Sequence, residues 1–159
     1  MEFSSSAKVA RIGVFVSLAL VGSFIKIPSP IGSPALDSAP GYFSSLAFGA
    51  FEGSMVAVLG HVVTGLTSGF PLGLLHGLIA VGMGGCAVVF RYVYERVNLT
   101  VAVLLVVIMN GIVLPVVVIP GFGVPLYVSI VPSLVVASVV NSVLAGGIYV
   151  KVKERIVSR

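Results

Sequence analysis

Asp37, His61, His76, Asn110 and Asn141 are strongly polar side chains set within or beside long apolar runs. A polar group taken into hydrocarbon costs several kcal/mol unless it is satisfied, so each of them needs a partner. His61 lies eight residues before Gly69 and His76 five after Pro71. At 1.5 Å per residue, an antiparallel hairpin turning at Ser68-Gly69-Phe70-Pro71 sets both imidazoles roughly 8 to 12 Å below the turn. They are placed to line one cavity. Hydrogen bonding to a ligand, or to a neighbouring backbone or hydroxyl group, is open to each.

Asn110 precedes Pro120 by ten residues and falls near the level of the histidines; Asn141 follows Pro125 by sixteen and falls far from it. The spacing therefore makes Asn141 an interhelical packing link. Asp37 stands three residues before Pro40. Two roles fit it: capping the helix that Pro40 opens, or meeting a ligand. Lys26 either extends to lipid headgroups or pairs with Asp37.

Several chemistries are excluded by missing motifs. Without HExxH or CxxC, and with Cys86 about ten residues further along its helix than His76, zinc ligation is disfavoured and no metal is expected. No GxxxxGK[ST] occurs, so the chain has no P-loop route to ATP hydrolysis. GxSxG and paired intramembrane carboxylates are missing too, so no catalytic residue is assigned and no cofactor is expected. The single cysteine forms no intramolecular disulfide and reads as a packing residue. Asn98-Leu99-Thr100 matches a glycosylation sequon by chance, since it falls at a helix start on the inner face.

Charged residues are 9% of the 159, hydrophobic residues 58%, and mean hydropathy is +1.20. Soluble domains carry about 25% charge, so the expected fold is an all-α integral membrane protein forming one domain over residues 1–159. Six transmembrane helices are expected, over residues 7–25, 39–51, 53–67, 72–94, 99–119 and 126–152. The second is short. The first reads as a retained helix rather than a cleaved signal, because Lys26 and prolines follow it.

Six crossings with a cytoplasmic N-terminus put Lys8, Arg11, Arg91, Arg96, Lys151, Lys153, Arg155 and Arg159 inside, with Lys26 alone outside. Both termini are then cytoplasmic. The net charge of +4 follows from topology and needs no nucleic acid. The Pro/Ser-rich loop of residues 28–41, the turn at residues 68–71 and the turn at residues 120–125 frame one outer mouth. Tyr42, Phe43, Phe70, Phe122 and Tyr127 cluster there in sequence, ready to stack on a flat ring. Small-xxx-small pairs recur: Gly49/Gly53, Gly73/Gly77 and Ala80/Gly84 suit internal packing, while Gly13/Ser17 and Ala19/Ser23 stripe the first helix.

Six short helices, that stripe, Leu36-Asp37-Ser38-Ala39-Pro40 leading into a short helix, and Phe48-Gly49-Ala50-Phe51-Glu52-Gly53 before the third resemble the substrate-binding S-components of energy-coupling factor (ECF) vitamin transporters. The resemblance spans essentially the whole chain. It implies a binding subunit of the cell membrane that captures a vitamin or precursor from outside. Uptake would then need a transmembrane coupling protein and its two ATPase subunits. It also implies docking on that protein through Gly13 and Ser17, or through Ala19 and Ser23, although neither pair is the AxxxA usual in the family.

Lys26-Ile27-Pro28-Ser29-Pro30, Gly60-His61 and Gly69-Phe70-Pro71-Leu72 are most similar to S-components linked with the cobalamin precursors dimethylbenzimidazole or α-ribazole. Riboflavin or another heterocyclic vitamin is the alternative. The expected substrate-binding residues are Lys26, Asp37, Tyr42, His61, Phe70, His76, Asn110 and Tyr127. From other classes, an intramembrane enzyme using His61 and His76, or a small channel, remains open.

Overall fold

A computed structural model describes residues 5–29 and 34–157. Residues 30–33 of the Pro/Ser-rich loop and Arg159 of the basic tail lie outside the described residues. The described chain is helical apart from one isolated antiparallel bridge, Lys26 with Ala35.

Four helical runs are long and apolar enough to cross a membrane: Ser5–Ser23, Ala50–Ser68, Leu75–Arg96 and Leu99–Arg155. We call the first three α1, α3 and α4. The fourth covers 57 residues, which at 1.5 Å each is about 85 Å against a hydrocarbon core of about 30 Å. It folds back on itself. Its parts are α5 (Leu99–Ile108), a π-helical turn (Met109–Val113), a 3-10 turn (Leu114–Val118) and α6 (Ile119–Val157).

Within α6, Gly123 takes φ 80° and ψ 168°, a conformation only glycine adopts freely, and the helix reverses there. The antiparallel hairpin is visible in side-chain pairings: Leu99 packs on Gly146, and the Tyr127 hydroxyl donates to the Ile112 carbonyl at 3.2 Å. The expected turn over residues 120–125 narrows to this single residue, because helix continues through Pro120 and resumes before Pro125.

The remaining helix, α2 (Ala39–Phe48), has 10 residues, about 15 Å, and reaches only half-way across a bilayer. The loop before it supplies the other half. Ile27 donates to Pro34 and Leu36 to Ile25, forming a narrow hairpin. The Ser133 hydroxyl of α6 donates to the Pro28 carbonyl at 2.8 Å, and Asn141, two turns further along α6, donates to Ala35. The loop thus descends along α6 and delivers residues 35–39 into the middle of the bundle. This hairpin also ends α1 at Ser23, two residues short of the expected boundary.

The first end of α2 is buried and the last half-buried, and other helices satisfy both. The Asn141 carboxamide oxygen accepts from the backbone N–H groups of Ser38 at 3.1 Å and Ala39 at 2.7 Å. At the other end, the Arg91 guanidinium of α4 donates to the carbonyls of Ser45 at 2.6 Å and Leu46 at 3.1 Å. A buried helix end without such partners would leave several backbone groups unpaired. The interhelical link expected of Asn141 is made, with α2 and with the loop. It meets the loop because the loop is deep, not because the count along α6 was wrong.

The break between α2 and α3 falls at Gly49, with φ 121° and ψ 160°, rather than at Glu52-Gly53. Glu52 instead lies in the first turn of α3 and forms a two-pronged ion pair with Arg11 of α1, at 2.9 and 2.7 Å. Gly53 packs directly on Ser45, and Gly84 of α4 packs on Ser54 and Val58 of α3. Small residues there let the helices approach closely. Asn98 caps α5 by accepting from the Val101 N–H at 2.9 Å, a structural task for the sequon asparagine.

Arg11, Arg91, Tyr94 and Tyr149 meet α2 and its neighbours at one end of the bundle, so the cationic ends of α1, α4 and α6 lie together there. Lys26, whose ammonium donates to the Ser68 hydroxyl at 3.1 Å, stands at the opposite end.

Candidate functional site

Between the loop, α3, α4 and the α5–α6 hairpin lies a cavity of about 140 Å³. Each element contributes a stripe at helical spacing: His61, Thr64 and Gly65 from α3; His76, Ile79 and Met83 from α4; Asn110, Leu114 and Val118 from the hairpin's first arm. The second arm adds Leu126, Ile130, Leu134, Ala137 and Asn141. Such i, i+3, i+4 stripes are how helices present one face. The descending loop closes the wall with Ala35, Asp37 and Ser38.

The two imidazoles meet as the hairpin count required. Their ring centroids are 5.7 Å apart and the planes 24° from parallel. Helix α4 begins at Leu75, not Leu72, because Phe70 takes φ 48° and residues 71–74 form a turn. His76 therefore lies in the first turn of α4, and Phe70 packs edge-on against it at 5.3 Å. His61 Nε2 and His76 Nδ1 are buried with no hydrogen-bond partner among the described residues. Buried polar atoms are normally paired, so two orphans on one cavity wall are groups held ready for something else.

Asp37 does not cap α2, since Asn141 performs that task. Its Oδ1 accepts from the Ser38 hydroxyl at 3.1 Å and its Oδ2 stands 4.0 Å from His61 Nδ1. Nor does it pair with Lys26, which is bound to Ser68 at the mouth. Asn110 lies in the π-turn, where Leu114 N–H bonds to the Met109 carbonyl five residues back, ahead of Pro115, which has no N–H to give. Its amide donates to the Ser138 hydroxyl at 2.8 Å while the residue lines the cavity.

Thus Asp37, His61, His76 and Asn110 line one cavity. The other expected positions do not. Tyr42 is fully buried in the core against Phe90, at 5.1 Å between ring centroids. Phe43 stacks on Phe15 at 5.5 Å, at the cationic end. Tyr127 lies behind the second arm, bonded to Ile112, and Lys26 sits at the mouth outside the wall. Phe70 is not a lining residue, and it reaches the cavity only by packing on Gly65 and His76, which are. Thr64, Ser38, Met83 and the apolar α6 stripe were not singled out in sequence. Continuing from Leu126 by threes and fours to Asn141 would have found the α6 stripe, and stepping three from His61 and seven from His76 would have found Thr64 and Met83.

The stripe on α1 splits into two faces. Ala19 and Ser23 are fully buried, and Ala19 abuts Gly60 of α3. They are therefore internal packing residues and leave no surface for a partner. Gly13 and Ser17 are exposed, and nothing approaches within 4 Å of where a Gly13 side chain would begin.

No group of three metal-ligating side chains occurs among the described residues. The lining combines a few hydrogen-bond donors and acceptors with a mostly aliphatic surface, a composition that binds and orients a small molecule.

No curated protein matches the chain in sequence. A solved structure described as "Structure and mechanism of the S component of a bacterial ECF transporter" is similar in fold, with TM-score 0.67 and 17% identity over 98% of each chain. The family model described as "ECF transporter, substrate-specific component" matches residues 7–156, and the chain belongs to that family.

Proposed function

We propose that this chain is the high-affinity binding subunit for a cobalamin precursor, α-ribazole or dimethylbenzimidazole, in ATP-driven uptake by an ECF transporter. The observation that carries the reading is one cavity lined by Asp37, His61, His76 and Asn110 together with many aliphatic side chains. A flat, mostly apolar ring system with a few hydrogen-bonding atoms suits such a lining. The resemblance of the loop and turn motifs supplies the choice among heterocyclic vitamins.

The chain crosses the plasma membrane six times, α2 crossing in part, with the cationic end and both termini cytoplasmic and the cavity outward. Energy comes from a transmembrane coupling protein and two ATPase subunits, and the docking face on α1 is Gly13 and Ser17. Cells expressing the chain together with an ECF coupling module should accumulate labelled α-ribazole, and cells lacking either should not. Uptake independent of the coupling module, or no uptake of either precursor, would defeat the reading.

A further inference from the structure

The cavity's charge pattern bears on which molecules it accepts, given the reading of it as a ligand site. Its wall contains the Asp37 carboxylate and no lysine or arginine among the described residues. The four loop residues outside the description, Pro30, Ile31, Gly32 and Ser33, carry no charge by their nature. Asp37 receives one hydrogen bond, from Ser38, and its other oxygen is 4.0 Å from His61 Nδ1, beyond bonding distance. Imidazoles bring no fixed positive charge, and His61 Nε2 and His76 Nδ1 are unpartnered among the described residues.

A buried carboxylate with so little satisfaction calls for a donor from the occupant. A second anion placed beside it would lose its hydration and meet repulsion, with no lysine or arginine among the described lining residues to offset either. We propose that the cavity selects uncharged or cationic nitrogen heterocycles that donate an N–H or O–H to Asp37, and rejects ligands bearing a carboxylate or phosphate. Asp37 is then the specificity-determining residue. Lys26 is not itself a lining residue; its ammonium is held 3.1 Å from the hydroxyl of Ser68 at the cavity's rim and makes no contact with Asp37, so it does not neutralise the carboxylate.

The test compares α-ribazole with its 5′-phosphate by equilibrium dialysis against purified wild type, Asp37→Asn and Lys26→Ala. Asparagine keeps the Ser38 contact and the shape. Wild type should prefer the uncharged nucleoside by at least about tenfold, and Asp37→Asn should shrink that preference to about threefold or less. Lys26→Ala should leave the preference unchanged. Equal or tighter binding of the phosphate, or a Lys26→Ala effect on the phosphate alone, would overturn the proposal.

Native mass spectrometry of molecules carried through purification separates this from the choice of substrate. If neither benzimidazole binds, the proposed substrate falls. A co-purified neutral or cationic heterocycle would still support the charge rule, and a co-purified carboxylate or phosphate would overturn it.

Discussion

The Asn141 side-chain oxygen accepts the backbone N–H of Ala39 at 2.7 Å, so a residue of α6 occupies the capping position of α2. Its amide nitrogen donates to the carbonyls of Ala35 at 2.9 Å and Ala137 at 2.8 Å. One side chain thus fixes the loop, the start of α2 and the lower wall of the cavity together. Asp37 is held between two of these contacts, at Ala35 and Ser38. Its position beside His61 depends on them.

Asn141→Ala should therefore cost stability and ligand affinity at once. Each buried backbone group left unpaired costs about 1 to 3 kcal/mol, and the variant orphans more than one. Thermal unfolding in detergent should show a clear fall in midpoint. Asn141→Asp keeps the acceptor for Ser38 and Ala39 but loses the donor to Ala35, and should fall between. Equal midpoints for Asn141→Ala and wild type would show that the cap is dispensable.

Gly49 joins α2 to α3 at φ 121°, where a side chain is strained. Gly49→Ala should destabilise by about 1 to 3 kcal/mol. Gly77→Ala, whose added methyl meets nothing within 4 Å inside a regular helix, should be neutral or slightly stabilising. Comparing the two unfolding midpoints checks that the strain is specific to the junction.

The histidine pair was legible because a tight turn fixes depth by counting, and Gly69 and Pro71 mark that turn. The all-helical architecture was legible for a similar reason, since apolar run length is a local property; the small-residue spacing was legible only in part, because Gly53 and Gly84 pack on neighbouring helices while Gly49, Gly73 and Gly77 meet nothing within 4 Å. Asn141 was legible as an interhelical link, and it joins α6 to α2; that the link also holds the loop was not legible, because nothing local in residues 28–38 gives a loop its depth. Tyr42 shows the converse. It follows the loop closely in sequence, yet the loop has already reached mid-bundle, so Tyr42 packs on Phe90 in the core rather than at the mouth. The π-turn at Asn110 has a visible trace in Pro115. A proline's missing N–H permits several local solutions, and packing against α6 selects one.

Arg11 and Glu52 join α1 to α3 by a two-pronged contact in which the glutamate side chain is only 6% exposed. Arg11→Met strands that carboxylate and should destabilise by about 3 kcal/mol or more. Arg11→Met with Glu52→Gln removes the stranded charge and should recover a large part of the loss. A double variant no more stable than Arg11→Met would show that the lost packing of Arg11 over Phe48, at 5.0 Å from the ring centre, matters more than the charge.

The proposed docking of α1 on a coupling protein would make opposite demands on its two faces. Ala19 abuts Gly60, and Gly22 abuts the Leu36 carbonyl, so bulk on that face pushes against α3 and the loop that carries Asp37. Gly13 and Ser17 are exposed, and the Ser17 hydroxyl is already satisfied by the Gly13 carbonyl at 2.9 Å, so the stripe presents a shallow surface with no unmet donor. Such a surface suits close approach of another helix in lipid, where packing rather than burial of apolar area drives association. Gly13→Leu with Ser17→Leu should leave folding and ligand binding near wild type, while abolishing co-purification with the coupling complex and uptake. Ala19→Leu should lower the unfolding midpoint and ligand affinity even with no coupling protein present. Normal uptake by the Gly13/Ser17 double variant would move the docking surface to another helix, and loss of ligand binding by it would mean that the outer face of α1 also supports the cavity.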